Sequence, residues 1–248
     1  MPPHRRVSLF VTCLVDQFFP SVGLAAVQVL ERCGLQVDFP EAQTCCGQPA
    51  FNSGFHAETR AVARAWLRAF AKSEAVVSPS GSCVSMVRNG FPELFHDHPA
   101  ELAEARALAE RTFEFSEFLV NVLKLEDVGA PRWSRPGGIT LHESCHLLRE
   151  LKVREPARRL LARVPGLELR EMQRSEECCG FGGTFAVKFG PLSAALADDK
   201  LKNAAASGAA AVVACDMSCL MHLDGRARRT GVPLRCVHLA EVLAGRPA

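Results

Sequence analysis

The chain alternates two kinds of apolar spacing. Short runs at 7–12, 75–78, 138–142 and 211–214 are dense in β-branched and other apolar residues and read as strands. Residues 34–39 and 166–170 alternate apolar and polar positions, as half-buried strands do. Between these runs the apolar residues recur with a helical period. Val22, Ala25, Ala26, Val29 and Leu30 form one stripe, and Gly34 supplies its C-terminal stop. Residues 61–70, 100–109 (entered through Pro99) and 192–206 read as further helices, Pro156 suits the first turn of another, and Val237 marks a last strand-like position. Strands alternating with helices predict an α/β fold with parallel sheets.

The pattern occurs twice. Cys45-Cys46-Gly47 and Cys178-Cys179-Gly180 are its centres, each with one cysteine upstream (Cys13, Cys145) and one downstream (Cys83, Cys219). Cys13 to Cys145, Cys45 to Cys178 and Cys83 to Cys219 are separations of 132, 133 and 136 residues. The surrounding text repeats as well: Gly34-Leu35 matches Gly166-Leu167, Ala75-Val76-Val77 matches Ala211-Val212-Val213, and residues 115–119 echo 239–243. Two homologous, pseudo-symmetric α/β halves follow, at 1–127 and 138–248, joined by a Pro- and Gly-rich linker at 128–137. Cysteines placed after strands are expected at the carboxyl ends of the sheets, where open α/β folds put their ligands.

Composition narrows the function. The 248 residues are 48% hydrophobic and 23% charged, ordinary for a globular chain with a sizeable core. Twenty-nine basic and 27 acidic side chains give a net charge of +2, and their scatter excludes a nucleic-acid groove. The cluster Arg226-Ala227-Arg228-Arg229 reads as a solvated helix face. No apolar run reaches the roughly 18 residues of a membrane span. His4-Arg5-Arg6 before an apolar stretch imitates a signal peptide, but Cys13 inside that stretch belongs to the repeat, so the expected compartment is the cytoplasm.

Eleven cysteines change the picture most. An odd number cannot pair completely, and a reducing cytosol keeps thiols free for metal or redox chemistry. Each half supplies four repeated thiols, which suit a structural zinc or an iron–sulfur cluster. The vicinal pairs favour the cluster, because adjacent cysteines more readily serve different atoms of one larger object. Thiol–disulfide exchange at those pairs is a third reading. Cys33 and Cys236 read as core thiols, whereas Cys215, directly after a strand, is open between core and ligand. His142 and His146 flank Cys145 and stand open between metal ligation, hydrogen bonding to sulfur and a turn role. Gln48, Asn52 and Ser53 either serve a bound carboxylate or set a turn. No nucleotide-binding glycine loop is present: Gly180-Phe181-Gly182-Gly183 lacks the spacing.

Taken together, Phe10-Val11-Thr12-Cys13, Cys45-Cys46-Gly47-Gln48-Pro49-Ala50, Asn52-Ser53-Gly54, Ser80-Gly81-Ser82-Cys83 and Cys178-Cys179-Gly180-Phe181-Gly182-Gly183 make the chain resemble the cysteine-rich CCG domain family. That family includes the B subunit of heterodisulfide reductase and the F subunit of glycolate oxidase. The resemblance covers essentially the whole chain and is nearest to the short members that serve bacterial lactate oxidation. It implies an iron–sulfur electron-transfer subunit, one of several that together oxidise L-lactate to pyruvate, with partners that include a ferredoxin-like iron–sulfur protein. It also implies one or two clusters, of 4Fe-4S type on the residue count, held by Cys13, Cys45, Cys46 and Cys83 and by Cys145, Cys178, Cys179 and Cys219, with Cys215 a further metal-ligand candidate and zinc an alternative in one half. The chain itself is not expected to carry a complete active site. The heterodisulfide reductase relatives bind each noncubane cluster through five cysteines ending in CxxC. Here that position reads Ser80-x-x-Cys83 in one half and Cys215-x3-Cys219 in the other, so a five-thiolate set is incomplete in the first half and misspaced in the second.

Overall fold

The computed structural model describes residues 5–246. The first sheet has four parallel strands, β1 (Arg6–Leu9), β2 (Gln36–Asp38), β3 (Val76–Ser78) and β4 (Thr112–Glu114), in the order β2-β1-β3-β4. The second has β5 (Ile139–Leu141), β6 (Ala211–Ala214) and β7 (Arg235–His238), parallel and in the order β5-β6-β7. Leu169 adds one parallel bridge on the outer side of β5, where β2 flanks β1. The two halves therefore share one topology, as the repeat predicts. The alternating run at 166–170 shrinks to that bridge, held by Ile139 N donating to Glu168 O and Arg170 N to Ile139 O. The run at 7–12 stops as strand at Leu9, because Thr12 adopts a φ of 71° and turns the chain into the helix Cys13–Phe18.

The predicted helices are present, with ends shifted by capping and by proline. Pro20–Arg32 buries Val22, Ala25, Ala26, Val29 and Leu30, the stripe seen in the sequence. His56–Phe70, Pro99–Ala109, Glu155–Leu161 and Gly190–Ala206 match the remaining periodic runs. Three single π-helical turns, Met86–Gly90, Phe118–Val122 and His146–Glu150, have no signal in the periodicity.

The halves pack with pseudo-two-fold logic. The first long helix of each half lies against the last helix of the other: Pro20–Arg32 on Leu239–Ala244, and Glu155–Leu161 on Phe115–Glu117 and the turn after it. Ser21 Oγ donates to Glu241 Oε1 at 2.9 Å across the first contact. One apolar core runs through both halves, from Val7 to Ala244. A second core lies within the first half, where Phe10 meets Trp66 and Phe70 edge-on with centroids 5.5 and 5.6 Å apart. Among the described residues no helix is long and apolar enough to cross a membrane.

Two buried capping boxes occupy equivalent places in the repeat and titrate in opposite directions. Glu114 caps the helix Phe115–Glu117, and burial pushes its carboxyl up to about 7 although Ser116 and the Glu117 amide oppose the shift. His238 caps Leu239–Ala244, accepting from Ala240 N through Nδ1 while Nε2 lies 3.0 Å from the Pro79 carbonyl. Burial drives that imidazole down to about 4. Between pH 6.5 and 4 the unfolded chain holds the His238 proton and the folded chain does not. Stability should therefore fall by up to about 3 kcal/mol as the pH drops through that window. Glu114 has the opposite sign. Its contribution is complete below pH 4.5 and fades as the pH rises through 7, by a similar ~3 kcal/mol. Chemical denaturation against pH is expected to lose its acid arm in His238→Gln and its rising-pH arm in Glu114→Gln. Unchanged slopes in both would contradict this assignment.

Candidate metal centre

The site is built from short helices and loops of both halves. Cys13 opens its short helix, Cys45 and Cys46 lie between β2 and the turn Gln48–Phe51, and Cys83 sits in the helix Gly81–Ser85 beyond β3. Cys145, Cys178, Cys179 and Cys219 repeat these placements, Cys219 in the helix Met217–Thr230 beyond β6. Within the first quartet Cys13 Sγ is 3.4 Å from Cys45 Sγ, and Cys46 Sγ is 3.4 Å from Cys83 Sγ. Backbone amides point at the same sulfur of each pair: Gly47 N donates to Cys45 Sγ at 3.4 Å, and Gly180 N to Cys178 Sγ at 3.3 Å. Both glycines have positive φ, 81° and 92°, a conformation that lets the amide turn back onto sulfur.

All eight repeated cysteines line one cavity of about 220 Å³ between the halves. Cys46, Cys179 and Cys219 are buried, Cys45, Cys83, Cys145 and Cys178 partly so, and Cys13 is exposed. Gln48, Asn52, Ser82, His146 and Asp216 also line it, and among the lining residues there is no lysine or arginine.

Crowding the thiols polarises them. Cys45 falls far below the ordinary thiol range because the Cys13 and Cys46 thiols donate to it, and Cys13 and Cys46 rise in turn. Cys178 falls likewise through Cys145 and Cys179. Cys219 settles at about 7 through Cys179, against its burial, with His142 nearby contributing. A cation among the sulfurs would favour their ionised form. The donor set suits such a group: soft thiolates, four to a half, with backbone N–H directed at sulfur.

A buried aspartate ties the two quartets together. Asp216 caps the helix of Cys219 by accepting from Ser218 N at 3.2 Å, and it accepts from Ser82 N at 2.9 Å in the loop of Cys83. Ser80 and Asp216 also form an antiparallel bridge. The loop of Cys145 is braced from behind. Glu143 accepts from Arg154, Arg158 and Ser175, and buried Lys200 donates to the carbonyls of Arg174 and Ser175 ahead of the second cysteine pair. Sequence reasoning passed over Asp216, Glu143 and Lys200. Only Asp216 left a signal, an Asp at a helix start.

The other candidates fall elsewhere. Cys215 is buried outside the cavity, beside Ser116 and Glu114, and burial pushes its thiol up. Cys33 and Cys236 pack partly buried against the main core. Gln48 reaches the cavity and donates to Ser82 O at 3.1 Å, and Ser53 is spent on Pro49 O and Thr184. His146 Nδ1 lies 3.6 Å from Cys145 Sγ. His142 is buried, with one ring nitrogen and the sulfurs of Cys179 and Cys219 all within 4.8 Å of one another.

Comparison with known proteins agrees with the repeat. The cysteine-rich domain (CCG) matches twice, over residues 7–88 and 139–224. Lactate utilization protein A of Geobacillus kaustophilus is 49% identical over 241 residues, 97% of this chain and 99% of that protein. Lactate utilization protein A of Halalkalibacterium halodurans is 48% identical over 238 residues, covering 96% of each chain. Lactate utilization protein A 2 of Bacillus cereus is 44% identical over 239 residues, 96% of this chain and 98% of that one. A crystal structure of a hypothetical protein from Helicobacter pylori shares the fold, with a TM-score of 0.63 at 10% identity, over all of this chain and half of that one. With two CCG matches and near full-length identity to these relatives, the chain belongs to the lactate utilization protein A family of cysteine-rich CCG domain proteins.

Proposed function

We propose that this chain is an iron–sulfur electron-transfer subunit of a cytoplasmic system that oxidises L-lactate to pyruvate. The observation that carries the reading is one cavity lined by two thiol quartets and by no lysine or arginine. Lactate is a carboxylate, and a site for it is expected to offer a cationic or bidentate donor. Sulfur ligands dominate instead, so substrate oxidation belongs to a partner and this chain relays electrons. Cys13, Cys45, Cys46 and Cys83 hold one 4Fe-4S cluster, and Cys145, Cys178, Cys179 and Cys219 a second. The cluster supplies the redox chemistry when bound, while the chain sets its surroundings through burial and N–H donors to sulfur. Two such groups sharing one cavity would exchange electrons readily, which supports the relay role. The names of the relatives support the role in lactate utilisation.

A second reading has its own observation. His142, Cys179 and Cys219 form a mixed nitrogen–sulfur set that also suits zinc, which would make the second half a structural centre. The paired sulfurs of Cys178 and Cys179, sharing a cavity with the other quartet, favour the cluster.

The partners are the other subunits of the lactate system, among them a ferredoxin-like iron–sulfur protein. Anaerobic protein mixed with those subunits and L-lactate is expected to lose its visible colour, and not to do so with lactate alone. Colour that dithionite bleaches but lactate with all partners does not would sink the lactate role and keep the cluster.

A further inference from the structure

The two quartets are not equivalent, and one of the differences is a residue behind them. His142 is 2% exposed, and among the described residues neither ring nitrogen has a hydrogen-bond partner. An orphaned buried polar atom ordinarily costs about 1–3 kcal/mol, so an imidazole with none of its capacity used points to a ligand-dependent partner. Its backbone is fixed, with His142 N donating to Val213 O at 2.8 Å and extending the β5–β6 pairing. One of its ring nitrogens lies within 4.8 Å of the sulfurs of both Cys179 and Cys219.

The repeat shows what the first half has there. His142 precedes Cys145 by three positions, as Phe10 precedes Cys13. Phe10 is fully buried, packs on Trp66 and Phe70, and belongs to the same core as Cys46, with Cys83 against it. Those are the counterparts of Cys179 and Cys219. The first quartet is thus backed by hydrocarbon at the point where the second is backed by imidazole.

Resting on the cluster reading above, we infer that His142 donates an N–H hydrogen bond to the sulfur of Cys179 or Cys219, and that this makes the second-half cluster easier to reduce than the first. A donor to thiolate sulfur stabilises the more negative, reduced state and raises the potential. Four thiolates already suffice for a four-iron cluster, which leaves the imidazole to act on sulfur rather than on iron. Electrons then run from the first half to the second. His142 is a positioning residue: it acts through the cysteines.

The test is an anaerobic redox titration followed by electron paramagnetic resonance on the full chain, with Cys46→Ser used to assign the second-half signal and iron and sulfide measured on every sample. His142→Phe, which installs the first-half residue, is expected to lower the second-half midpoint and keep the iron. Phe10→His is expected to raise the first-half midpoint. In wild-type protein labelled with 15N-histidine, a weak nitrogen coupling that His142→Phe removes is expected. A directly bonded coupling, with iron lost in His142→Phe, would overturn the donor role and make His142 a ligand. Full iron with unmoved midpoints in both variants would overturn the inference and leave the cluster reading standing. Protein without iron would overturn both.

Discussion

Serine in place of Cys46, Cys83, Cys179 or Cys219 should remove about half of the bound iron while the other half of the chain stays loaded. Each thiol belongs to one quartet, and the close Sγ–Sγ distances of 3.4 Å in the first quartet join cysteines of the same half. A hydroxyl is a harder and far less acidic donor than a thiolate, so one replacement leaves an iron without a competent ligand. The effect should be all-or-none for that half, because Cys46, Cys179 and Cys219 are buried and water cannot readily replace them. Cys13, the exposed member, is the place where water can substitute, and Cys13→Ser should give a partial loss. Cys33, Cys215 and Cys236 provide the contrast. They lie outside the cavity, and their serine variants should keep full iron, Cys215→Ser at some cost in stability for its buried hydroxyl. Iron and sulfide per chain across this series separates the two groups. Loss of all iron from one substitution would show a single shared site instead of two.

Gly180→Ala is expected to cost roughly 2–5 kcal/mol and to lose the second-half metal. The backbone there has φ +92°, and a Cβ would lie 2.5 Å from the Ser193 carbonyl oxygen, which belongs to a helix and cannot retreat alone. Left-handed backbone costs a non-glycine residue about 1–2 kcal/mol, and overpacking adds about 1–3. The strain falls on the loop whose amide points at Cys178 Sγ. Gly47→Ala meets a softer neighbour, the Thr59 methyl at 3.1 Å, and should cost less and keep most first-half iron. Denaturation midpoints and metal content of the two variants test this directly. Equal costs would mean that the contact with Ser193 is not what requires glycine.

Much of this was legible in the sequence because repetition is itself a signal. Two CCG motifs at matched offsets single out the eight cysteines that line one cavity, and the apolar period marks most helices. What stayed hidden depends on pairings too short to leave a pattern and on contacts between the halves. β4 is three residues, Thr112–Glu114, too short to establish an alternation of its own. The run at 166–170 has the pattern of a strand, yet only one bridge forms. Asp216 gains its role from Ser82, 134 positions away, and a single chain position cannot advertise such a partner. His142 stands out in the sequence as a candidate, whereas its contrast with Phe10 depends on which side chains each is packed among in the fold.

The most direct test of the central claim is iron and acid-labile sulfide analysis, with a visible spectrum, on protein purified without oxygen. About eight irons and eight sulfides per chain, with a broad absorbance near ~400 nm that dithionite bleaches, is the expected result. One or two zinc ions per chain and no colour would contradict it and leave two thiol quartets serving as structural staples.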